Sequence, residues 1–208
     1  MDLSRPTAAV VPSLDGPVLT VLGGTTRPLT GREVGRLVGV RSHGGVQAVL
    51  NRMVAAGLVD AIEAAPARLY SLNRDHVATD AVLALLDLRM RLFDRIRGEL
   101  ANWTIPAVAA AVFGSAARGD GDSASDIDVF LVRPDGVDSD DQVWSDAVDT
   151  LGRRIRRWSG NSASIIQATP EQVLAMIDRQ EPIVSDLRND AVPLTEQRVL
   201  EVHQAGHR

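Results

Sequence analysis

Two short groups of residues in the second half of the chain could do chemistry on a phosphate. Gly114-Ser115 directly follows an apolar run, and Asp126 and Asp128 are separated only by Ile127. Small residues after a buried strand let backbone N–H groups approach a phosphate, and the N-terminus of a following helix adds partial positive charge. Residues two apart in a strand lie on one face, so both carboxylates would converge. Two convergent carboxylates and substrate phosphates suit Mg²⁺.

The elements that must position these residues are short strands separated by helices. The pattern of apolar residues predicts strands over 107–113, 127–132 and 163–168 and a helix over 143–158. Thr169 is placed to cap a further helix, because Pro suits the first helical position and Gln follows at the capping-box position. These elements predict a small mixed sheet flanked by helices.

The same residues carry a family resemblance. Gly114-Ser115, Arg118-Gly119 and Asp126-Ile127-Asp128, the last preceded by a serine, resemble the Gly-Ser, Arg-Gly and Ser-Asp-Ile-Asp signature of minimal nucleotidyltransferases. That superfamily is similar to DNA polymerase beta and kanamycin nucleotidyltransferase. The resemblance implies a nucleoside triphosphate as ligand and Mg²⁺, or Mn²⁺, as cofactor. By matching position, it implies the following roles: Gly114, Ser115 and Arg118 for binding the nucleotide, and Asp126 and Asp128 for binding the metal and for catalysis.

One position departs from the family pattern. Active members supply a third carboxylate from a neighbouring strand, which helps to activate the attacking hydroxyl. The corresponding segment, 162–167, has no acidic residue, and Ser164 is the replacement there. Glu171 comes next, but an acid in the first turn of a helix is favoured by the helix dipole alone. Nucleotide binding is therefore expected, and weak or absent transfer is predicted.

The first part of the chain predicts a short apolar helix at 18–22, then two further helices and a hairpin. Thr30 and Glu33 have the spacing of a capping box at the start of one helix. A second helix is predicted over 42–56, and strands over 58–62 and 68–72. This order resembles winged helix-turn-helix regulators of the MarR/ArsR type. The resemblance implies that the second helix enters the major groove of duplex DNA.

Several polar residues of this part could contact DNA, because Arg and Gln can bind guanine and adenine edges in the major groove. The candidates are Arg41, Ser42, His43, Gln47, Asn51 and Arg52 around the second helix, and Arg68 on the hairpin. The alternative is that the same fold serves only protein contacts, with a solvated polar helix face, since the basic excess in this part is small.

Charge is distributed unevenly along the 208 residues. Residues 1–79 carry eight arginines against six acidic residues, and the remainder carries fourteen against twenty-one. This asymmetry suggests two units with different partners. We predict an α+β protein of four segments: a loose N-terminal segment 1–16, a winged helix-turn-helix domain 17–76, a linker helix 77–104 and a nucleotidyltransferase-like domain 105–208.

Composition narrows the class of protein further. The chain has no cysteine, which excludes disulfides and thiolate metal sites. It has no apolar run long enough for a membrane span and no leader-like start, so no membrane partner and a cytoplasmic location are expected. The helical pattern over 77–100 has more apolar surface than one intrachain contact requires, which predicts a homodimer.

Two functions fit these residues. The first is an enzyme that transfers a nucleotide, with Mg²⁺, to a hydroxyl acceptor and also binds DNA. The second is a winged-helix transcription regulator whose nucleotidyltransferase domain is a catalytically weak or inactive nucleotide sensor. The Gly-Ser and Asp-Ile-Asp elements favour the first function, and the missing carboxylate favours the second.

Overall fold

The chain folds into two compact units. The computed structural model describes residues 1–40 and 43–204. We call Arg5–Leu88 the N-terminal unit, and Met1–Ser4 together with Arg89–Arg208 the C-terminal unit.

In its described residues, the N-terminal unit has four α-helices and a three-stranded antiparallel sheet in the order β1-β3-β2. A 3₁₀ helix, Pro6–Ala9, precedes these elements. The helices are α1 (Asp15–Gly23), α2 (Gly31–Val38), α3 (His43–Ala55) and α4 (Thr79–Leu86), and the strands are β1 (Leu29–Thr30), β2 (Val59–Ala64) and β3 (Ala67–Leu72).

Local signals in the sequence account for most of these boundaries. Thr30 and Glu33 form the predicted capping box of α2, which ends at Gly39 in the left-handed conformation that glycine tolerates. The apolar stripe predicted for the second helix is buried on α3 and packs with α1, α2 and the sheet; it comprises Val46, Val49, Leu50 and Met53. The hairpin is also present, with β2 beginning one residue later and ending two residues later than predicted.

The helical segment 77–100 differs from the single helix expected there. It forms two helices, α4 and α5 (Leu88–Leu100), with Asp87 as the C-cap of the first. The apolar residues of the two helices enter different cores: Val82 packs in the N-terminal unit, whereas Phe93 and Ile96 pack in the C-terminal unit. These burials account for part of the apolar surface that predicted a homodimer, and the homodimer stays a prediction.

The segment 1–16, expected to be loose, contains buried side chains. Leu3 is buried in a core of the C-terminal unit, and Thr7 is buried within the 3₁₀ helix. The apolar side chain of Leu3 explains its placement, since burial removes it from water.

The C-terminal unit is built on a four-stranded mixed sheet in the order β6-β5-β4-β7. Its helices after α5 are α6 (Gly114–Arg118), α7 (Gln142–Ser159), α8 (Pro170–Asp178) and α9 (Pro182–Asn189), and a 3₁₀ helix covers Val199–Gln204. Its strands are β4 (Ala109–Phe113), β5 (Ile127–Val132), β6 (Ala163–Ala168) and β7 (Val192–Pro193). The mixed α and β architecture predicted for this half is confirmed.

The sheet is parallel only between β5 and β6, which are joined through α7. Strand β4 is antiparallel to both β5 and β7. A parallel pair needs such a crossover, usually a helix. The predicted bounds of β5 and β6 agree with the structure, as does the capping box at Thr169.

Alternation along β5 sends its side chains into two separate cores. Ile127, Val129 and Leu131 pack with residues of α5 and α7 on one face of the sheet. Phe130 and Val132 pack on the other face, with residues of α8, α9 and the second 3₁₀ helix. Because alternate residues share a face, Asp126 and Asp128 lie on the second face, at the start of the strand.

Candidate nucleotide and metal site

The two carboxylates of the site flank a residue that anchors them. Ile127 is fully buried, whereas Asp126 is exposed and Asp128 is half-buried. Burial of Ile127 holds the start of β5 against the core, and strand alternation then places both aspartates on the same side. The structure therefore brings together the two residues predicted to bind a metal.

Asp128 lies in an environment that disfavours its charge. Burial raises the pKa of Asp128, and the nearby Asp126 carboxylate raises it further; a hydrogen bond from Ser164 and the charge of Arg118 act in the opposite direction. A cation between two close carboxylates would relieve their repulsion. The pair therefore favours a bound cation.

Gly114 lies directly against Asp128. Its φ is +67°, and a Cβ added there would be 2.7 Å from Oδ2 of Asp128. The residue before it, Phe113, pairs with Asp128 across β4 and β5. Only glycine combines this conformation with such a close approach. The predicted Gly-Ser turn and the carboxylates thus form one site.

A short helix connects the Gly-Ser turn to the Arg-Gly pair. The Ser115 carbonyl accepts hydrogen bonds from the backbone amides of Gly119, Asp120 and Gly121, at 2.9, 3.1 and 3.3 Å. Gly119 has φ +80°, and a side chain there would overlap the guanidinium of Arg89, which donates to the Ala117 carbonyl at 3.1 Å. The left-handed conformation therefore favours glycine at the end of α6, and any side chain there would also displace the Arg89 guanidinium.

Arg118 was predicted to bind the nucleotide, and its guanidinium contacts two acidic side chains. Nε donates to Asp120 at 3.0 Å, and Nη1 donates to Asp190 at 2.8 Å. The Asp190 hydrogen bond, and then that of Asp120, raise the pKa of Arg118 above its ordinary value. The visible role of Arg118 is to join α6 to the segment before β7.

The loop that precedes Asp126 is held by residues that the sequence did not single out. The Asp122 carboxylate accepts hydrogen bonds from the amides of Ala124 and Ser125 and from the Ser125 hydroxyl, each at 2.9 Å. These bonds, that of Ala124 first, lower the pKa of Asp122. The serine of the signature therefore closes a turn.

The buried side chain of Asn161, a residue that is 2% exposed, also stabilises this loop. Its Nδ2 donates to the backbone carbonyls of Ser125 and Asp122, at 2.9 and 3.2 Å. The amides of Leu3 and Ser4 donate to the Gly121 carbonyl at 2.8 and 3.0 Å. No spacing or motif marked Asn161, because its partners are more than thirty residues away in the chain.

Ser164, the predicted replacement for the third carboxylate, lies next to the pair. In the register of β5 and β6, Ser164 pairs with Asp128, and its hydroxyl lowers the pKa of that carboxylate. Ser162 lies two residues earlier and accepts a hydrogen bond from Arg156 at 2.8 Å. Glu171 is exposed in the first turn of α8.

The donor set fits a divalent cation that shares its ligands with a substrate. Within residues 1–40 and 43–204, no three His, Cys, Asp or Glu side chains are grouped as a metal site would need. Two carboxylates are enough for Mg²⁺ when water and phosphate oxygens complete its octahedral shell. Asp126 and Asp128 would hold the ion, which would neutralise phosphate charge there.

The DNA-binding candidates that the structure describes differ in the contacts they make. Arg41 and Ser42 lie outside the described residues, and His43 begins α3. The exposed amide of Gln47 donates to the Tyr70 hydroxyl at 2.7 Å and to Asn51 at 3.0 Å. Gln47 and Asn51 are therefore held as a pair.

The two described arginine candidates lie in different surroundings. Arg52 forms an ion pair with Asp15 of α1. Arg68 forms one with Glu63 at 3.0 Å and lies over the ring of Tyr70, with its guanidinium carbon 5.7 Å from the ring centroid. The structure thus places Arg68 beside Gln47 and directs Arg52 towards α1.

Comparison with known proteins supports the interpretation of the C-terminal unit. No helix in the described ranges is long and apolar enough to cross a membrane. Searches against curated proteins and against solved structures give no match. The family model of the nucleotidyltransferase domain matches residues 94–189, which include Gly114, Ser115, Asp126 and Asp128. This match, over a little under half of the chain, supports a nucleotidyltransferase domain in that part of the protein.

Proposed function

We propose that the C-terminal unit is a nucleotide sensor: it binds a nucleoside triphosphate together with Mg²⁺ and transfers the nucleotide slowly or not at all. The observation that carries this proposal is the pairing of Ser164 with Asp128, where active nucleotidyltransferases have a third acid.

Binding is supported by the contact between the Gly-Ser turn and the carboxylate pair. Gly114 approaches Asp128 closely enough for a phosphate on the turn to share a cation with both aspartates. A metal in such a position neutralises phosphate charge and orients the ligand. Burial of Asp128 beside Asp126 strengthens the preference for a bound cation.

Slow transfer follows from the chemistry of the serine. A hydroxyl is a poor base and a weak Mg²⁺ ligand, so Ser164 cannot accept the proton of an attacking hydroxyl. Loss of a general base typically lowers a rate about a hundredfold to ten-thousandfold. The exposed Glu171 has no contact with the carboxylate pair among the described hydrogen bonds and ion pairs.

Calorimetry separates binding from transfer. ATP should bind the whole protein in the presence of Mg²⁺, and Asp126→Asn/Asp128→Asn should abolish that binding. Incubation of the same proteins with labelled ATP, Mg²⁺ or Mn²⁺ and mixed protein and RNA acceptors should give little label transfer. Equal binding by both proteins would refute the site, and robust transfer lost in Asp128→Asn would refute the sensor role.

For the N-terminal unit we propose a winged helix-turn-helix that binds duplex DNA. The observation that favours it is a groove of about 500 Å³ between α2, α3 and the hairpin, lined in part by Arg32, Gln47 and Arg68. Arginines at such a groove can contact phosphates, while a helix edge contacts bases. The whole protein would then act as a nucleotide-responsive transcription regulator.

Gel shifts on the promoter region of its own gene test this proposal. Binding should weaken with salt, because each phosphate contact releases counterions. Arg32→Ala/Arg68→Ala should remove binding, whereas Arg36→Ala/Arg52→Ala removes two charges outside the groove and should have little effect. The reverse order of effects would place the DNA on the end of α3 instead, and no binding by the wild type would refute the proposal.

A further inference from the structure

A cavity of about 290 Å³ lies in the C-terminal unit, apart from the Gly-Ser turn and the carboxylates. It is lined by residues of β4, α9, the β7 segment and the second 3₁₀ helix, among them Ala111, Leu187, Pro193 and Val199. Cavities of this volume stand at the lower end of the range for small-ligand sites. It suits a fragment of about the size of a sugar phosphate.

Two arginines border this cavity without an acidic partner. Arg188, in the last turn of α9, and Arg198 both line it and are exposed. Neither guanidinium has a hydrogen bond or ion pair with another side chain in the described part of the chain, whereas Arg118, Arg97 and Arg154 are all paired. The single acid of the lining is Glu201.

The two arginines give the border of this cavity a positive charge in an acidic half of the chain. Residues from Asp80 onward carry fourteen arginines against twenty-one acidic residues, so acidic partners are plentiful. Guanidinium groups present planar donors that match phosphate oxygens. Two such groups at the edge of a partly apolar cavity favour a ligand with an anionic group and a compact uncharged body.

The cavity lies on the same face of the sheet as the carboxylates. Ala111 is two residues before Phe113 on β4, which is about 7 Å along a strand. Phe113 is in turn the cross-strand partner of Asp128. A second connection runs through Ala191 of the lining, since the adjacent Asp190 binds Arg118 at the end of α6.

We infer that this cavity binds a small phosphate ester as a second ligand beside the nucleotide site, with Arg188 and Arg198 contacting its phosphate. The role as second ligand rests on the proposed nucleotide binding, whereas the anion site itself does not. The ester would bind without a metal, because guanidinium groups supply the positive charge.

The experiment uses ribose 5-phosphate as the probe, with EDTA and without nucleotide, on the full chain. Calorimetry should show binding of ribose 5-phosphate and none of ribose, and amide chemical shifts should change around Leu187, Ala191 and Val199. Arg188→Gln/Arg198→Gln should lower the affinity at least tenfold. Arg153→Gln/Arg157→Gln is the matched control, because it removes the same charge from α7, on the opposite face of the sheet. It should change the affinity for ribose 5-phosphate less than twofold.

Each alternative outcome identifies a different failure. Absence of binding, or equal loss in both arginine pairs, would overturn the anion site. Loss of binding in Asp126→Asn/Asp128→Asn would place the probe at the carboxylates and also overturn it. If ribose 5-phosphate binds as expected while ATP with Mg²⁺ does not bind the wild type, the anion site stands and the nucleotide site fails.

Discussion

Ser164 lies directly across from Asp128 in the parallel register of β5 and β6, and its hydroxyl lowers the pKa of that carboxylate. A hydroxyl at this position offers no charge to a metal, whereas a carboxylate there would complete a set of three acids.

We expect Ser164→Asp to strengthen metal binding and to raise the rate of transfer. The new carboxylate would face Asp128 and complete the acidic set, so Mg²⁺ affinity should rise and label transfer from ATP should increase about a hundredfold, the lower range for a general base. Ser162→Asp is the matched control, since Arg156 already contacts that position and would neutralise the added acid. Equal gains in both variants, or in neither, would contradict the strand register as the cause.

We expect Gly114→Ala to abolish nucleotide binding. The substitution brings a methyl group against Asp128 and imposes a left-handed conformation that costs about 1–2 kcal/mol for a non-glycine residue. Gly136→Ala controls for the backbone cost, because Gly136 has φ +79° and no atom lies within 4 Å of its Cβ position. Thermal unfolding should detect a loss in both variants, while calorimetry with ATP and Mg²⁺ should detect a loss only at Gly114. Intact binding in Gly114→Ala would show that the close approach is unnecessary.

We expect Asn161→Ala to loosen the loop that leads to Asp126. It removes the donors of two backbone carbonyls, which typically costs about 1–3 kcal/mol when the groups stay buried. Amide hydrogen exchange should accelerate over residues 122–126, and Mg²⁺ affinity should fall. Asn102→Ala, which removes a single exposed bond to the Gly98 carbonyl, should leave both properties unchanged. A loss of stability with unaltered exchange in the loop would argue against a positioning role.

The capping box of α2 should make the N-terminal unit sensitive to acid. Hydrogen bonds from the amide and hydroxyl of Thr30, followed by one from Arg27, lower the pKa of Glu33 from 4.5 to about 2. A lowered pKa means that the stabilisation is complete above pH 4.5 and disappears as the pH falls through about 2. Glu33→Gln lacks this titration, so the difference in unfolding temperature between the two proteins should shrink over that window. A constant difference would show that the charge of Glu33 contributes nothing.

The parts of the site that depend on residues close together in the sequence could be predicted. Strand alternation placed Asp126 and Asp128 on one face, and the family resemblance together with the strand pattern of 163–168 placed Ser164 near them. The partners of Arg118 could not be predicted, because Asp190 is brought to it only by the pairing of β7 with β4. Asn161 could not be predicted either, because the carbonyls that it contacts also lie far away in the chain.

The helix break at Asp87 shows a limit of prediction from apolar periodicity. A stripe of apolar residues predicts that a helix is buried, but not against which core. Val82 and Phe93 belong to different units, so the chain interrupts the helix where the pattern alone would continue it.

The hydrogen bonds from Leu3 and Ser4 to Gly121 make the C-terminal unit discontinuous in sequence, with the N-terminal unit inserted between its first four residues and Arg89. A fragment that starts at Arg89 lacks those two amides and the buried side chain of Leu3. In such a fragment the loop beside the carboxylates would be destabilised. Its failure to bind nucleotide would then reflect the missing residues and not the properties of the site. A circular permutation that joins the first four residues to the fragment by a flexible linker would isolate the unit while keeping that loop intact.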